Sequence, residues 1–226
     1  MKAILAPALE GLKKNWRPMA LVWVLAFALV FAYYNLPSVA AAAKGLQDFK
    51  ASLGLGFAAM AGFIAGGLLP EVAKVLTGTL EKGENPWGEA TFRGFVWIGL
   101  AMMVDTFYGY QAMWFGTGTG FGTLAIKTAV DMFVFAPLLF VPYTVGMFVF
   151  RREKWRLSAF ISVWTPSGWK REVLPTYVPN VCFWIVVLLA VYALPTDLQY
   201  PMSALATACW SILFSFINRR ATSTYD

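Results

Sequence analysis

The chain has 226 residues, of which 59% are hydrophobic and 13% charged, and it carries a net charge of +6. No single water-soluble core of this size hides so much apolar side chain, so lipid is the expected solvent. The lack of any histidine excludes a His-based zinc site, a Ser-His-Asp triad and a histidine proton relay, and the eighteen Lys and Arg lie in short clusters between apolar runs, as in loops facing headgroups rather than a nucleic-acid-binding stripe.

The opening MKAILAPALEGLKKNW is too interrupted for a signal-peptide core and lacks the Arg/Ser richness of a mitochondrial presequence, so no cleaved leader is expected. A helix needs about 17–25 apolar residues to cross the hydrocarbon core. The sequence offers six such runs, at about 18–36, 52–74, 93–115, 121–150, 174–194 and 201–217. It therefore predicts an all-α, polytopic membrane protein of about six transmembrane helices, folded as one integral domain over 1–226.

The second run is rich in small residues, with Gly62 and Gly66 among them, which lets another helix approach closely. Internal packing is favoured over self-dimerisation, although a homo-oligomer is compatible with it. The third run carries Asp105 and Gln111. GTGTGFG at 116–122 lacks the GK[ST] ending and preceding strand of a phosphate loop, and reads as a tight turn. The fourth run holds Lys127, Thr128 and Asp131, then Pro137 and Pro142, which should kink the helix just inward of Asp131. YTVGMF within it lacks the pore helix and second glycine of a potassium filter.

The segment 151–173 is the largest basic surface and is expected to lie on headgroups. The fifth run contains Asn180 and Cys182, and the sixth Cys209. Without CxxC spacing, both cysteines read as small buried hydrophobes. With six spans, fifteen basic residues fall on one side against Lys44 and Lys50 on the other. That positive-inside bias places both termini on the inner side. Trp16, Tyr33, Tyr34, Trp87, Trp114, Trp155 and Trp169 mark the interfaces.

An ionisable side chain inside a span costs about 2.5–3.5 kcal/mol on insertion scales, so Asp105, Lys127 and Asp131 are functional candidates. Lys127 and Asp131 are spaced to pair on one helix face, and Asp105 reaches a similar depth, so the two acids could share a cavity. Gln111 and Asn180 could wet such a path. The competing reading is a neutralised cluster that fixes helix register and carries nothing.

Two regions resemble the twenty-two-kilodalton peroxisomal membrane protein family and its mitochondrial inner-membrane relative, Mpv-seventeen. In KTAVDMFVFAP, Lys127, Asp131, Ala136 and Pro137 fit the family's K-x-x-x-D-Q-x-x-x-A-P, with Met132 for Gln. In LPTDLQYPMSALATACWSILFS, Leu194 and Pro195 fit its V-P, and Trp210, Phe214 and Ser215 its W-x-x-x-L-S. Thr91 and Arg93 look like its T-x-R. Gln199 stands where the family has Arg, Phe183 and Trp184 replace Trp-Pro, and Val187 and Ala190 replace polar residues. The resemblance implies a weakly selective pore for small solutes or ions in a peroxisomal, mitochondrial inner or plasma membrane.

The expected function is thus a channel-like protein, with Asp105, Lys127, Asp131, Gln111 and Asn180 lining or gating the path. The alternative is a non-conducting scaffold with a structural charge cluster. An enzyme is not expected, since no nucleophile motif accompanies the acids and the flanking signatures of paired-aspartate intramembrane proteases are missing. No cofactor, metal or nucleic acid is called for, and membrane lipids are the expected partners. The reading places the chain in a bacterial cytoplasmic membrane, with a mitochondrial inner or peroxisomal membrane as the alternative.

Overall fold

The computed structural model describes the backbone of residues 2–76, 78, 80 and 83–222, with the side chains at 2–9, 11, 14, 15, 18 and from 211 onward outside the described set. Through these residues run eight helices: α1 (Lys2–Asn35), α2 (Pro37–Leu53), α3 (Leu55–Leu76), α4 (Pro86–Phe115), α5 (Phe121–Arg152), α6 (Leu157–Ser162), α7 (Pro166–Tyr192) and α8 (Thr196–Thr222). No strand occurs among the described residues.

The breaks follow from local chemistry. A residue preceding proline is pushed out of the helical region; Leu36 before Pro37 is accordingly extended, and α2 leaves the Met19–Asn35 part of α1 at 101°. Gly54 separates α2 from α3 at φ 54°, a left-handed backbone that L side chains avoid. Asn85 caps α4, its side chain accepting from Gly88 N at 3.1 Å, and Pro86 supplies the first turn. The connection between the second and third runs is therefore helical from residue 86, and much of the connection between the first and second runs is α2.

Three helices, α3, α5 and α7, are long and apolar enough to cross a membrane, or four if the bent pair α1–α2 counts as one broken span. The expectation of six is thereby corrected. The first run bends at Leu36 and continues as α2. In α4, Trp, Tyr and Gly dilute the apolar residues, and Asp105 and Gln111 add to this. The sixth run extends into residues 211–217, whose side chains lie outside the described set.

The outer surface is strongly apolar, with Phe121 82%, Leu76 80% and Met113 78% exposed. Water would penalise such faces, whereas hydrocarbon does not. The core lies where α1, α3, α4, α7 and α8 converge, around Ala58, Ala101, Phe183, Val187 and Val191. α1 is tied to α7 at two levels: Trp23 Nε1 donates to Phe183 O at 3.0 Å and Tyr34 Oη to Ala193 O at 2.7 Å. Cys182 is exposed on α7, contrary to the buried reading, because its neighbour Phe183 takes the inward position; Cys209 is half-buried and both are free.

α3 meets α4 through its glycines. A Cβ on Gly62 would lie 2.5 Å from Ala101 Cβ, one on Gly67 2.5 Å from Gly94 Cα, and one on Gly66 would enter the Trp97 ring. The small-residue face is therefore spent on internal packing. Overpacking of this kind costs about 1–3 kcal/mol. Gly66→Ala should lower unfolding stability in detergent by that amount, whereas Gly56→Ala, with nothing within 4 Å of its Cβ, should not; chemical denaturation followed by circular dichroism distinguishes them.

Candidate functional site

In α5, Asp131 marks the point where the helix widens into a π-helical stretch, Asp131–Phe140, with Pro137 inside it. Such stretches recur at functional sites because each displaces one residue from the α register. The chain runs through Pro137 and Pro142 as one 32-residue helix. The carbonyls orphaned by the prolines explain how. Pro137 has no N–H to give Met132 O, five residues back; Tyr177 Oη donates to it at 2.8 Å. Pro142 cannot serve Leu138 O or Pro137 O, and the indoles of Trp164 and Trp169 do so at 3.2 and 3.3 Å. Each freed acceptor has a side-chain donor, as an apolar surrounding requires.

The fourth-span charges are arranged differently from the expectation. Lys127 and Asp131 make no ion pair within 4 Å, because Tyr192 of α7 stands between them. Its hydroxyl donates to Asp131 Oδ2 at 2.6 Å, and Lys127 Nζ lies 5.6 Å from the centre of its ring. Gln111 Nε2 donates to Tyr192 Oη at 2.7 Å and to Lys127 O at 3.2 Å. Lys127, Gln111 and Tyr192 are each at most 1% exposed. The result is a hydrogen-bonded relay, Gln111 to Tyr192 to Asp131, with the ammonium held on an aromatic face.

Asp105 is not part of this cluster. Lys50, at the end of α2, reaches it at 2.7 Å, and both side chains are 12% exposed. The break at Gly54 brings Lys50, expected outside, onto α4. Asp105 and Asp131 therefore face no common cavity.

Asp131 does border a cavity of about 40 Å³ between α3, α4, α5, α7 and α8. At roughly 10–15 Å³ per water, this is space for about three waters and not for a metabolite. Its polar lining is Asp131, Asn180, Thr207, Tyr200 and the Tyr108–Ser203 hydroxyl pair, 2.6 Å apart. Asn180 is 8% exposed and its Oδ1 has no hydrogen-bond partner. Trp97, Phe135, Phe140 and Trp184 form the apolar wall. A second π segment, Phe63–Leu68, contributes Ala65 to the lining and follows Gly62, which also lines it.

The residues singled out by motif are dispersed. Ala136 is buried and borders the cavity. Pro195 precedes α8, its carbonyl accepting from Leu198 N at 2.8 Å. Trp210 stacks on Phe183 with centroids 4.3 Å apart. Arg93 lies 3.6 Å from Glu71 and over the Phe148 ring. Gln199, 2% exposed, donates to Leu194 O at 3.0 Å. The Ser215 side chain lies outside the described residues.

Three participants escaped the sequence reading. Tyr192, Tyr108 and Ser203 have no charge and sit in apolar runs, so only the cross-helix contacts reveal them. Glu71 was readable: it is fully buried within the expected second span and pairs with Lys74 at 2.8 Å. No family model, curated protein or solved structure matches the chain, so its residues alone carry the functional reading.

Two stability outcomes follow from this geometry. Tyr192→Phe removes the donor to Asp131 and should cost about 1–3 kcal/mol, while exposed Tyr110→Phe should be near neutral in the same denaturation assay. For the second ion pair, a double-mutant cycle of Lys50→Met and Asp105→Leu should give a coupling of about 0.5–3 kcal/mol; additivity of the two single changes would show the pair to be energetically silent.

Proposed function

We propose that the protein is an integral membrane protein with a channel-like path for small solutes or ions, closed in the present conformation at the Asp131 cavity. The observation that carries this reading is a buried carboxylate with no cationic partner within 4 Å, bordering water-sized space beside an unpartnered amide oxygen. A buried acid away from water is costly unless it belongs to a wetted or functional path. The flanking π segments supply elements able to shift register and open that space. Four aromatic rings close it, so conduction requires them to move.

The resemblance to the Mpv-seventeen and twenty-two-kilodalton peroxisomal membrane protein family agrees with this placement, since Lys127, Asp131, Ala136 and Pro137 lie in and beside the widened stretch of α5. A non-conducting scaffold is the second reading. It is favoured by the Lys50–Asp105 pair and by the stacking of Phe107 on Phe135, 4.1 Å apart, both of which read as architecture.

Purified protein in sealed liposomes separates the two. Flux of small ions or metabolites should rise in Phe135→Ala, which removes part of the aromatic wall, and should change in Asp131→Asn. Absence of flux in both the wild type and a folded Phe135→Ala would leave the scaffold.

A further inference from the structure

At the other end of α5 the molecule carries a feature that the Asp131 site does not use. An open groove of about 640 Å³ lies between the start of α4 and the end of α5, lined by Trp87, Thr91, Phe92, Phe95, Met147 and Trp155. Its walls are aromatic and apolar. Trp87, Phe95 and Trp155 are 57%, 64% and 57% exposed, so the groove has rings available.

The turn that roofs the groove is strained. Lys154 and Trp155 have φ of 55° and 64°, left-handed values that bulky L residues avoid. Trp155 N donates to Phe150 O at 2.7 Å, and its ring meets Phe92 and Phe150 edge-on at 5.9 and 5.2 Å. The backbone is bent so that an indole closes one end of the groove. On either side of Trp155 in the chain stand Lys154 and Arg156, both exposed, and neither has a carboxylate within 4 Å among the described residues. Arg151 and Arg152 differ: the first is paired with Glu89 and lies over Phe92, the second is paired with Glu172.

We propose that this groove binds an anionic glycerophospholipid, with one acyl chain along the Phe92–Phe95–Met147 wall and the phosphate between Lys154 and Arg156. The occupant is set by two neighbouring features: an open slot with aromatic and apolar walls, and two exposed cations that flank in the chain the indole at its end, with no carboxylate within 4 Å of either among the described residues. A zwitterionic lipid would fill the slot but gain little from the cations, and a soluble anion would gain from the cations but leave the rings bare. The site stands independently of whether the bundle conducts.

The test uses the delipidated full chain, titrated with phosphatidylglycerol or phosphatidylcholine of identical acyl chains and read by native mass spectrometry. Each basic side chain near a headgroup favours an anionic lipid by about fivefold, so phosphatidylglycerol should bind at least about fivefold more tightly. Lys154→Gln combined with Arg156→Gln should bring that ratio towards one, with helix content unchanged because both side chains are exposed. Phe95→Ser should weaken both lipids while preserving their ratio. Equal binding of the two lipids by the wild type, a ratio unmoved by the double substitution, or full binding by glycerol phosphate alone would each overturn the proposal.

Discussion

Tyr192 divides Lys127 from Asp131, and much of the bundle is arranged around that division. The two charges lie one turn apart on the same helix, where an ion pair is the shortest way to neutralise both. The ring inserted from α7 gives each charge a different partner: the carboxylate takes the hydroxyl, the ammonium takes the π face. The hydroxyl is held in turn by Gln111 from α4. Three helices are thus fixed to one another by one side chain, and Asp131 keeps a face turned towards open space. In an apolar surrounding a polar group with no partner is expensive, so the position of α7 is set by chemistry as much as by packing.

The same requirement explains the region inward of Asp131. Pro137 and Pro142 remove two backbone donors, and the three carbonyls they would have served accept instead from Tyr177, Trp164 and Trp169. All three donors come from the segment that follows α5. The basic connection at 151–173 is therefore more than a headgroup-facing loop, since its indoles repair the helix preceding it. On the other flank, loss of side chains does the positioning: Gly62, Gly66 and Gly67 let α3 lie against Trp97, Ala101 and Gly94 of α4, which brings Gly62 and Trp97 to the cavity wall.

Composition and periodicity disclosed the helical class and which residues carried unusual cost, because burial of charge and loss of Cβ leave marks in the sequence itself. Gln111 reaches Asp131 only through Tyr192 and touches Lys127 only at its backbone carbonyl, while the Lys127 ammonium lies by the Tyr192 ring. What was not legible was who stands between them. Tyr192 is one of several aromatics in apolar runs, and nothing in its own segment distinguishes it. Asp105 was misplaced for a related reason: Lys50 was assigned to an outer connection, and only the bend at Leu36 and the reversal at Gly54 bring it onto α4. The count of spans failed where runs are diluted by Trp, Tyr and Gly, since these lower hydropathy without removing the helix.

The bond between Trp23 and Phe183 joins residues 160 positions apart. Synthesis at about 5–20 residues per second means that α1 leaves the ribosome roughly ten to thirty seconds before its partner exists. During that interval the indole of Trp23 has no carbonyl of α7 to meet, and the exposed faces of α1 are its only company with lipid. Assembly of the bundle is therefore a late event in the life of the nascent chain. Its first helix lacks this partner until residue 183 has been made, and the core, which also takes in Tyr200 and Met202, closes only when the eighth helix follows.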